Sequence, residues 1–244
     1  MGNQDAHSRL SRITTLWTMV GQAHHGPASD AASAQRVLME RYCGAVYRYL
    51  LGALHNPEVA EELFQEFALR FCRGDFHRAD PTRGRFRDYV KTALINLVND
   101  YHHQRKVSPR PLPPELAGPA PSTADLNDAQ FVESWSKELM NQAWAELDKT
   151  HPTLHAVLRF HVENPDAQSP QVAEQLSAQL GKRLTPTNAR VMLHRAREKY
   201  AELLVEEVRR SLESPTQEQL LRELRELHLL THCRSALERR SMHS

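Results

Sequence analysis

Six prolines fall between Val107 and Ser122, at positions Pro109, Pro111, Pro113, Pro114, Pro119 and Pro121. Each removes a backbone donor and fixes φ, so neither helix nor strand tolerates that density and the stretch reads as an extended linker. On both sides of it, apolar residues recur at three-to-four spacing. Upstream, Val37, Leu38, Tyr42, Val46, Tyr49, Leu50 and Leu54 form one such run, which Asn56-Pro57 ends while starting the next. That next run holds Val59, Ala60, Leu63, Phe64, Phe67, Ala68 and Phe71, and the Gly, Asp, His and Pro residues from Arg73 to Gly84 read as a loop. A third helix is expected from Phe86 to about His103. Downstream, helical pattern resumes near Leu126 and breaks at Pro152, at residues 165–170, at 184–186 and at Ser214-Pro215, which introduces a last helix from Gln217 to about Arg239. No segment alternates with the period of a strand. The expected fold is all-α: two small helical domains joined by the Pro-rich linker, with a C-terminal helical extension. The boundaries are an N-terminal extension over 1–32, a first domain over 33–106, a linker over 107–125, a second domain over 126–213 and the extension over 214–244.

The chain is long enough for two small domains, at 244 residues. Its 40% apolar and 25% charged residues are those of an ordinary soluble protein. A net charge of +1 is uninformative by itself, because basic and acidic stretches cancel, and a binder of both DNA and a charged protein partner would look neutral in sum. Cys43, Cys72 and Cys233 are odd in number and far apart, which gives neither a disulfide framework nor a CxxC metal pattern and fits a reducing cytosol. The apolar run Leu16-Trp17-Thr18-Met19-Val20 is too short to span a bilayer, so a cytoplasmic protein is expected.

Fourteen histidines raise the question of an enzyme or a metal site. His151 and His155 lie four apart, but Pro152 stands between them and no neighbouring acid completes an HExxH-like arrangement. His228, His232 and Cys233 could share a helix face, yet they supply no fourth ligand. With 9 glycines there is no phosphate-cradling loop, and no GxSxG or Cys/His nucleophile setting appears. No enzyme activity, metal or other cofactor is expected.

In the second domain, Ser169-Pro170-Gln171-Val172-Ala173-Glu174-Gln175-Leu176 starts one helix, and Thr185-Pro186 starts another with a good N-cap and a proline at its first position. The second of these helices carries Arg190, His194, Arg195, Arg197 and Lys199, and the pair makes a helix-turn-helix candidate. Thr187, Asn188, Arg190 and His194 would reach base edges in a major groove, with flanking cations such as Arg197 on phosphates. A solvated basic face on an ordinary helix fits the same pattern, and the connection over Ser177 to Leu184 is longer than a tight turn.

Three motifs then carry a family resemblance. Pro57-Glu58-Val59-Ala60-Glu61-Glu62-Leu63-Phe64-Gln65-Glu66-Phe67 resembles the region-two helix of bacterial sigma factors. Phe86-Arg87-Asp88-Tyr89-Val90 with Asn96-Leu97-Val98-Asn99-Asp100 is similar to the helix that melts and reads the minus-ten element. His194-Arg195-Ala196-Arg197 resembles the region-four recognition helix. Their order on either side of a linker is more specific than any one alone. Thr14-Thr15-Leu16-Trp17 and the stretch from Arg78 to Phe86 further resemble an extracytoplasmic-function subgroup common in planctomycete-like bacteria.

The resemblance implies a transcription initiation factor that binds core RNA polymerase and directs it to promoter DNA. Glu58, Glu61, Glu62, Gln65 and Glu66 would dock on a coiled coil of the polymerase's largest subunit; a merely solvated acidic face, favoured by the helix dipole, is the plainer alternative. At the minus-ten element, Tyr89, Asn96 and Asp100 would handle an unpaired base, and Arg83, Arg85, Arg87 and Lys91 the backbone phosphates, with His103 and Arg105 in a basic exit toward the linker. Tyr89 stands where the family often has Trp, and Ile95 where it often has Arg. For Phe86 and Tyr89 a plain core role is the alternative, and it is the commoner fate of a helical aromatic. At the minus-thirty-five element the readers would be Thr187, Asn188, Arg190, His194 and Arg197. The linker would lie along the polymerase's RNA-exit path. A stand-alone helix-turn-helix regulator would explain residues 169–200 but gives the two upstream helices no role. The Leu-rich extension over 214–244 reads either as a packing helix or as a regulatory element that meets an anti-sigma factor or a regulatory kinase.

Overall fold

The computed structural model describes residues 28–73, 85–107, 123–181, 183–212 and 215–241. Among these the chain is built from nine α-helices, with no strand. They are α1 (Ala28–Leu54), α2 (Pro57–Arg73), α3 (Phe86–Val107), α4 (Thr123–Thr150), α5 (Pro152–Glu163), α6 (Ser169–Leu180), α7 (Pro186–Arg210), α8 (Gln217–Glu226) and α9 (Leu230–Ser241). The all-α expectation holds. The N-terminal Thr14–Trp17 motif, Arg83 and the proline-dense part of the linker lie outside the described residues.

Local chemistry sets the helix ends. His55 adopts a left-handed φ of 52° after α1 and donates its N–H to the Leu51 carbonyl at 2.9 Å. Asn56 follows immediately as the N-cap of α2, its Oδ1 accepting from the N–H groups of Glu58 (3.0 Å) and Val59 (3.1 Å). Thr185 caps α7 in the same way, accepting from the Asn188 N–H at 3.2 Å. At α8, Thr216 and Gln219 bond reciprocally, N–H to side chain at 2.8 and 3.2 Å, in a capping box.

Three expectations about helix length need correction. The third helix runs to Val107, not His103, so His103 and Arg105 belong to α3 rather than following it. α6 runs to Leu180, which shortens its connection to α7 to residues 181–185; Gly181 takes the left-handed φ of 62° and Ser177 Oγ accepts from the Leu184 N–H at 2.8 Å. The single last helix is two, because His228 (φ 56°) closes α8. Its N–H reaches the Arg225 carbonyl at 3.0 Å and the Leu229 N–H reaches the Leu224 carbonyl at 2.9 Å, a Schellman ending sealed by buried Leu224 and Leu229.

The chain divides into two compact units, one within Met1–Glu138 and Arg209–Arg222, the other within Leu139–Val208 and Glu223–Ser244. In the first unit, α1 buries Leu38, Tyr42, Val46, Tyr49 and Leu50, α2 buries Ala60, Leu63, Phe67 and Phe71, and α3 buries Phe86, Val90, Leu94, Leu97 and Val98. The start of α4 supplies the rest of this core. Trp135 stacks on Tyr42 at 4.6 Å and 9°, and Phe131 meets the edge of Tyr49 at 5.6 Å. Gly44 and Gly52 on α1 leave room for it; a β-carbon would collide with the side chain of Glu138 at the first and Gln130 at the second. Arg48 completes the contact by pairing with Glu138 and donating to the Ser134 carbonyl at 3.3 Å. Residues 128–138 thus pack with the first unit, whereas the boundary expected at 126 groups them with the second domain.

The second unit has two joined clusters. Val157, Val172, Ala173, Leu176 and Ala189 bring α5, α6 and α7 together, and Leu147, Leu158 and Ala196 join α4, α5 and α7. Trp144 lies edge-on to His155 (4.9 Å) and Tyr200 (5.8 Å), and the Tyr200 hydroxyl donates to the Met140 carbonyl at 3.3 Å. Burial, with a smaller effect of Cys233, pushes the Tyr200 phenol up to about 12. Burial alone does the same to the Cys233 thiol.

Candidate functional site

The helical period of α2 separates its two faces. Ala60, Leu63, Phe67 and Phe71 face the core, so Glu58, Glu61, Glu62 and Gln65 are exposed and Glu66 is half-buried. Gln65 Nε2 donates to Glu61 Oε1 at 3.4 Å, and Arg70 Nε pairs with Glu66 at 2.7 Å. The five residues assigned to polymerase contact therefore lie along one solvent-facing stripe, with only Glu66 partly neutralised from within the helix.

On α3 the assigned residues divide. Tyr89 and Asn96 line one open cleft of about 230 Å³ between α2 and α3, whose other walls are Phe67, Arg70, Thr92, Ala93 and Leu97. Asn96, Asp100 and His103 are exposed, and Tyr89 is half-buried. Phe86 is a core residue, 5.7 Å from Tyr42 and 6.5 Å from Trp135 between ring centroids, so the core reading applies to it. The cations are placed unequally. Arg85 Nε pairs with Asp88 at 2.9 Å, Lys91 pairs with Asp128 at 2.6 Å, and Arg87 is only 5% exposed. Arg105 lies in the last turns of α3. Arg70, Thr92 and Asp128 are the members of this surface that sequence reasoning missed. Helical phase could have found the first two, since Thr92 and Asn96 are four apart and Arg70 sits beyond Phe67 by three.

In the second unit, α6 and α7 are held by Val172, Ala173, Leu176 and Ala189, across the short connection described above. Ala189 and Ala196 are seven apart and fully buried, which turns the opposite side of α7 to solvent. Thr187, Asn188, Arg190, His194, Arg195 and Arg197 are all exposed there, at the capped N-terminal half of the helix. His194 Nε2 lies 3.2 Å from Glu198, and Arg197 Nη2 donates to His161 Nε2 on α5 at 2.6 Å. Desolvation, then the Arg197 charge, lowers the His161 pKa, so the imidazole is held neutral and able to accept. From α9, Arg239 Nη1 reaches Glu198 at 3.3 Å and Glu202 at 3.6 Å.

Among the described residues, no group of three His, Cys, Asp or Glu is placed to hold a metal ion. His155 Nδ1 meets Asp148 at 2.8 Å, a pair only. Cys233 is buried while His228 and His232 are exposed, on either side of the Schellman ending. No helix among the described residues is long and apolar enough to cross a membrane.

Residues 38–107 match the Sigma-70 region 2 family model, which covers α2, α3 and most of α1. No curated protein and no solved structure matches the chain. The chain accordingly carries a sigma-70 region 2 domain, and the match supports a sigma-70 family sigma factor acting in transcription initiation, with core RNA polymerase and promoter DNA as the partners that family implies.

Proposed function

We propose that this chain is an extracytoplasmic-function sigma factor of the planctomycete-like subgroup, which recruits core RNA polymerase to promoters, opens the minus-ten element and reads the minus-thirty-five element. The observation that carries the proposal is the cleft beside Tyr89 and Asn96 inside the segment that matches region 2. Opening a duplex requires a place for a base once it leaves the stack, with an aromatic face and a polar edge reader. Tyr89 supplies the ring and Asn96 the amide, and a volume below the roughly 300–1,000 Å³ of small-molecule pockets suits a single base. Asp100 and His103 continue that exposed face, and Arg85, Lys91 and Arg105, with Arg83 beyond the described residues, are the cations for backbone phosphates. Arg87, only 5% exposed, is not placed to join them.

The stripe Glu58, Glu61, Glu62, Gln65 and Glu66 is the polymerase-docking face. Its exposure along one solvent-facing stripe leaves it open to a partner, which supports this role. The helix pair α6–α7 is the region-four-like element, with Thr187, Asn188, Arg190 and His194 toward bases and Arg197 toward phosphate. The extension over 214–244 is a candidate docking element for an anti-sigma factor or a regulatory kinase.

The test is run-off transcription from the promoter upstream of the chain's own gene, alongside a gel shift. The purified chain with core polymerase should start transcripts and retard the promoter fragment, while the chain alone should not bind it tightly. Tight binding of an operator by the chain alone, with no transcripts, would instead identify a stand-alone helix-turn-helix regulator.

A further inference from the structure

The Lys91 ammonium, one of the cations assigned to backbone phosphates, already holds an anion. Its Nζ lies 2.6 Å from Oδ2 of Asp128, on the far side of the proline-dense stretch in sequence. That is the distance of a strong charge-assisted hydrogen bond, and a phosphodiester oxygen would take the same position on the ammonium. The Lys91 side chain is 25% exposed and that of Asp128 53%, so the pair sits at the surface, where DNA could reach it.

Mutual attraction is not what keeps Asp128 there, because a surface ion pair is worth little by itself. The following turns of α4 hold it. Gln130 lies against Gly52, Phe131 meets Tyr49, Trp135 stacks on Tyr42, and Glu138 pairs with Arg48. A helix fixed at four successive points keeps the Asp128 carboxylate beside Lys91 without further ordering cost. The backbone cannot drift away, but the short Asp128 side chain can swing, so a phosphate can displace it in competition.

We propose that Asp128 is a built-in competitor for the phosphate position at Lys91, an intramolecular gate that weakens DNA-strand binding by the free chain. This rests on the reading of α3 as the promoter-contacting helix. It assigns Asp128, outside the segment matching region 2, a part in setting DNA affinity.

A double-mutant cycle tests the gate. The full chain is titrated with a short fluorescein-labelled single-stranded DNA by fluorescence anisotropy at several KCl concentrations. Asp128→Asn should tighten binding about two- to fivefold, the range of a surface ion pair, and steepen the salt dependence by about 0.7 for the one phosphate contact released. In a Lys91→Met background the same substitution should change neither. Glu133→Gln removes an equal charge from the same helix, where Glu133 pairs with Lys137, and should leave the salt slope unchanged. Should Asn perturb the helix by circular dichroism, Asp128→Ser carries the same cycle. No tightening, or an equal gain in the Lys91→Met background, overturns the gate. The run-off assay with wild-type chain and core polymerase reads the sigma-factor assignment separately. Transcripts with a null cycle remove the gate alone, and absence of transcripts removes the assignment.

Discussion

Trp135→Ala should destabilise the first unit severely, although Trp135 lies well beyond the segment that matches region 2. Its indole is 1% exposed, stacked on Tyr42 at 4.6 Å, 5.6 Å from Phe131 and 6.5 Å from Phe86. Truncating a buried aromatic to alanine costs about 3–5 kcal/mol, through lost transfer free energy and the cavity left behind. The ring pairings, about 0.5–1.5 kcal/mol each, lie inside that range. One feature works the other way: the indole Nε1 is buried and has no hydrogen-bond partner among the described residues, so truncation relieves a desolvation cost. The lower end, about 3 kcal/mol, is therefore expected. With a urea dependence of about 2 kcal/mol per molar, the unfolding midpoint should fall by roughly 1.5 M. Urea titration of the full chain followed by far-UV circular dichroism measures it. Trp135→Phe keeps the stack and removes the unpartnered N–H, so it should cost less than about 1.5 kcal/mol. A loss under about 1 kcal/mol for the alanine variant, or equal losses for both, would refute the argument that α4 completes this core.

Asn188→Ala and Arg190→Ala should leave helix content and melting temperature unchanged, since both side chains are exposed. Each should weaken discrimination between promoters differing at the minus-thirty-five element by about 1–3 kcal/mol in holoenzyme competition assays, and equal loss on all sequences would reassign them to phosphate contact. His228→Gly should raise stability by up to about 1 kcal/mol, because glycine adopts the left-handed φ of 56° without the steric cost that histidine bears; a lower melting temperature would contradict the Schellman reading. The lowered pKa of His161 fixes the sign of a pH effect. The unfolded chain binds this proton more readily, so the contribution to stability is intact above the unfolded value of about 6.5 and is lost as pH falls through the lower folded value. His161→Gln should flatten that slope in urea midpoints measured across this window, and an unchanged slope would show that His161 does not carry it.

Helix starts were legible because their signals are local. Asn56-Pro57 and Thr185-Pro186 combine a side-chain acceptor with a residue that lacks the N–H; Thr185 caps as expected, and Asn56 caps the helix that Asn56-Pro57 was expected to start. Helix ends without glycine or proline were not legible. The α8–α9 break depends on His228 adopting a conformation that its side chain disfavours, stabilised by the burial of Leu224 and Leu229, which is a tertiary cause. The placement of α4 was hidden for a related reason. Periodicity shows that Phe131 and Trp135 share a face, but not which core that face meets. The proline-dense stretch suggested a boundary at 126, whereas Gly44 and Gly52, separated by two turns on α1, mark where the helix beyond the linker packs.

The candidate site shows the same division between phase and partner. Arg85, Arg87 and Lys91 have like charge within seven residues, and composition treats them alike. Phase separates the first two. Arg87 stands three residues before Val90, seven before Leu94 and eleven before Val98, so it shares the buried stripe of α3, and its 5% exposure was readable from the spacing. Arg85 precedes the helix and pairs within its own first turn, with Asp88, which is also a local matter. Lys91 is different, because its partner arrives from beyond the linker and is held by aromatic packing that no spacing on α3 encodes. A cation's availability to DNA is thus settled first by its helical phase, which the sequence contains, and then by what packs across it. For Lys91 the second factor decides: Asp128 already holds its ammonium, and on the proposed reading a phosphate would have to compete for it.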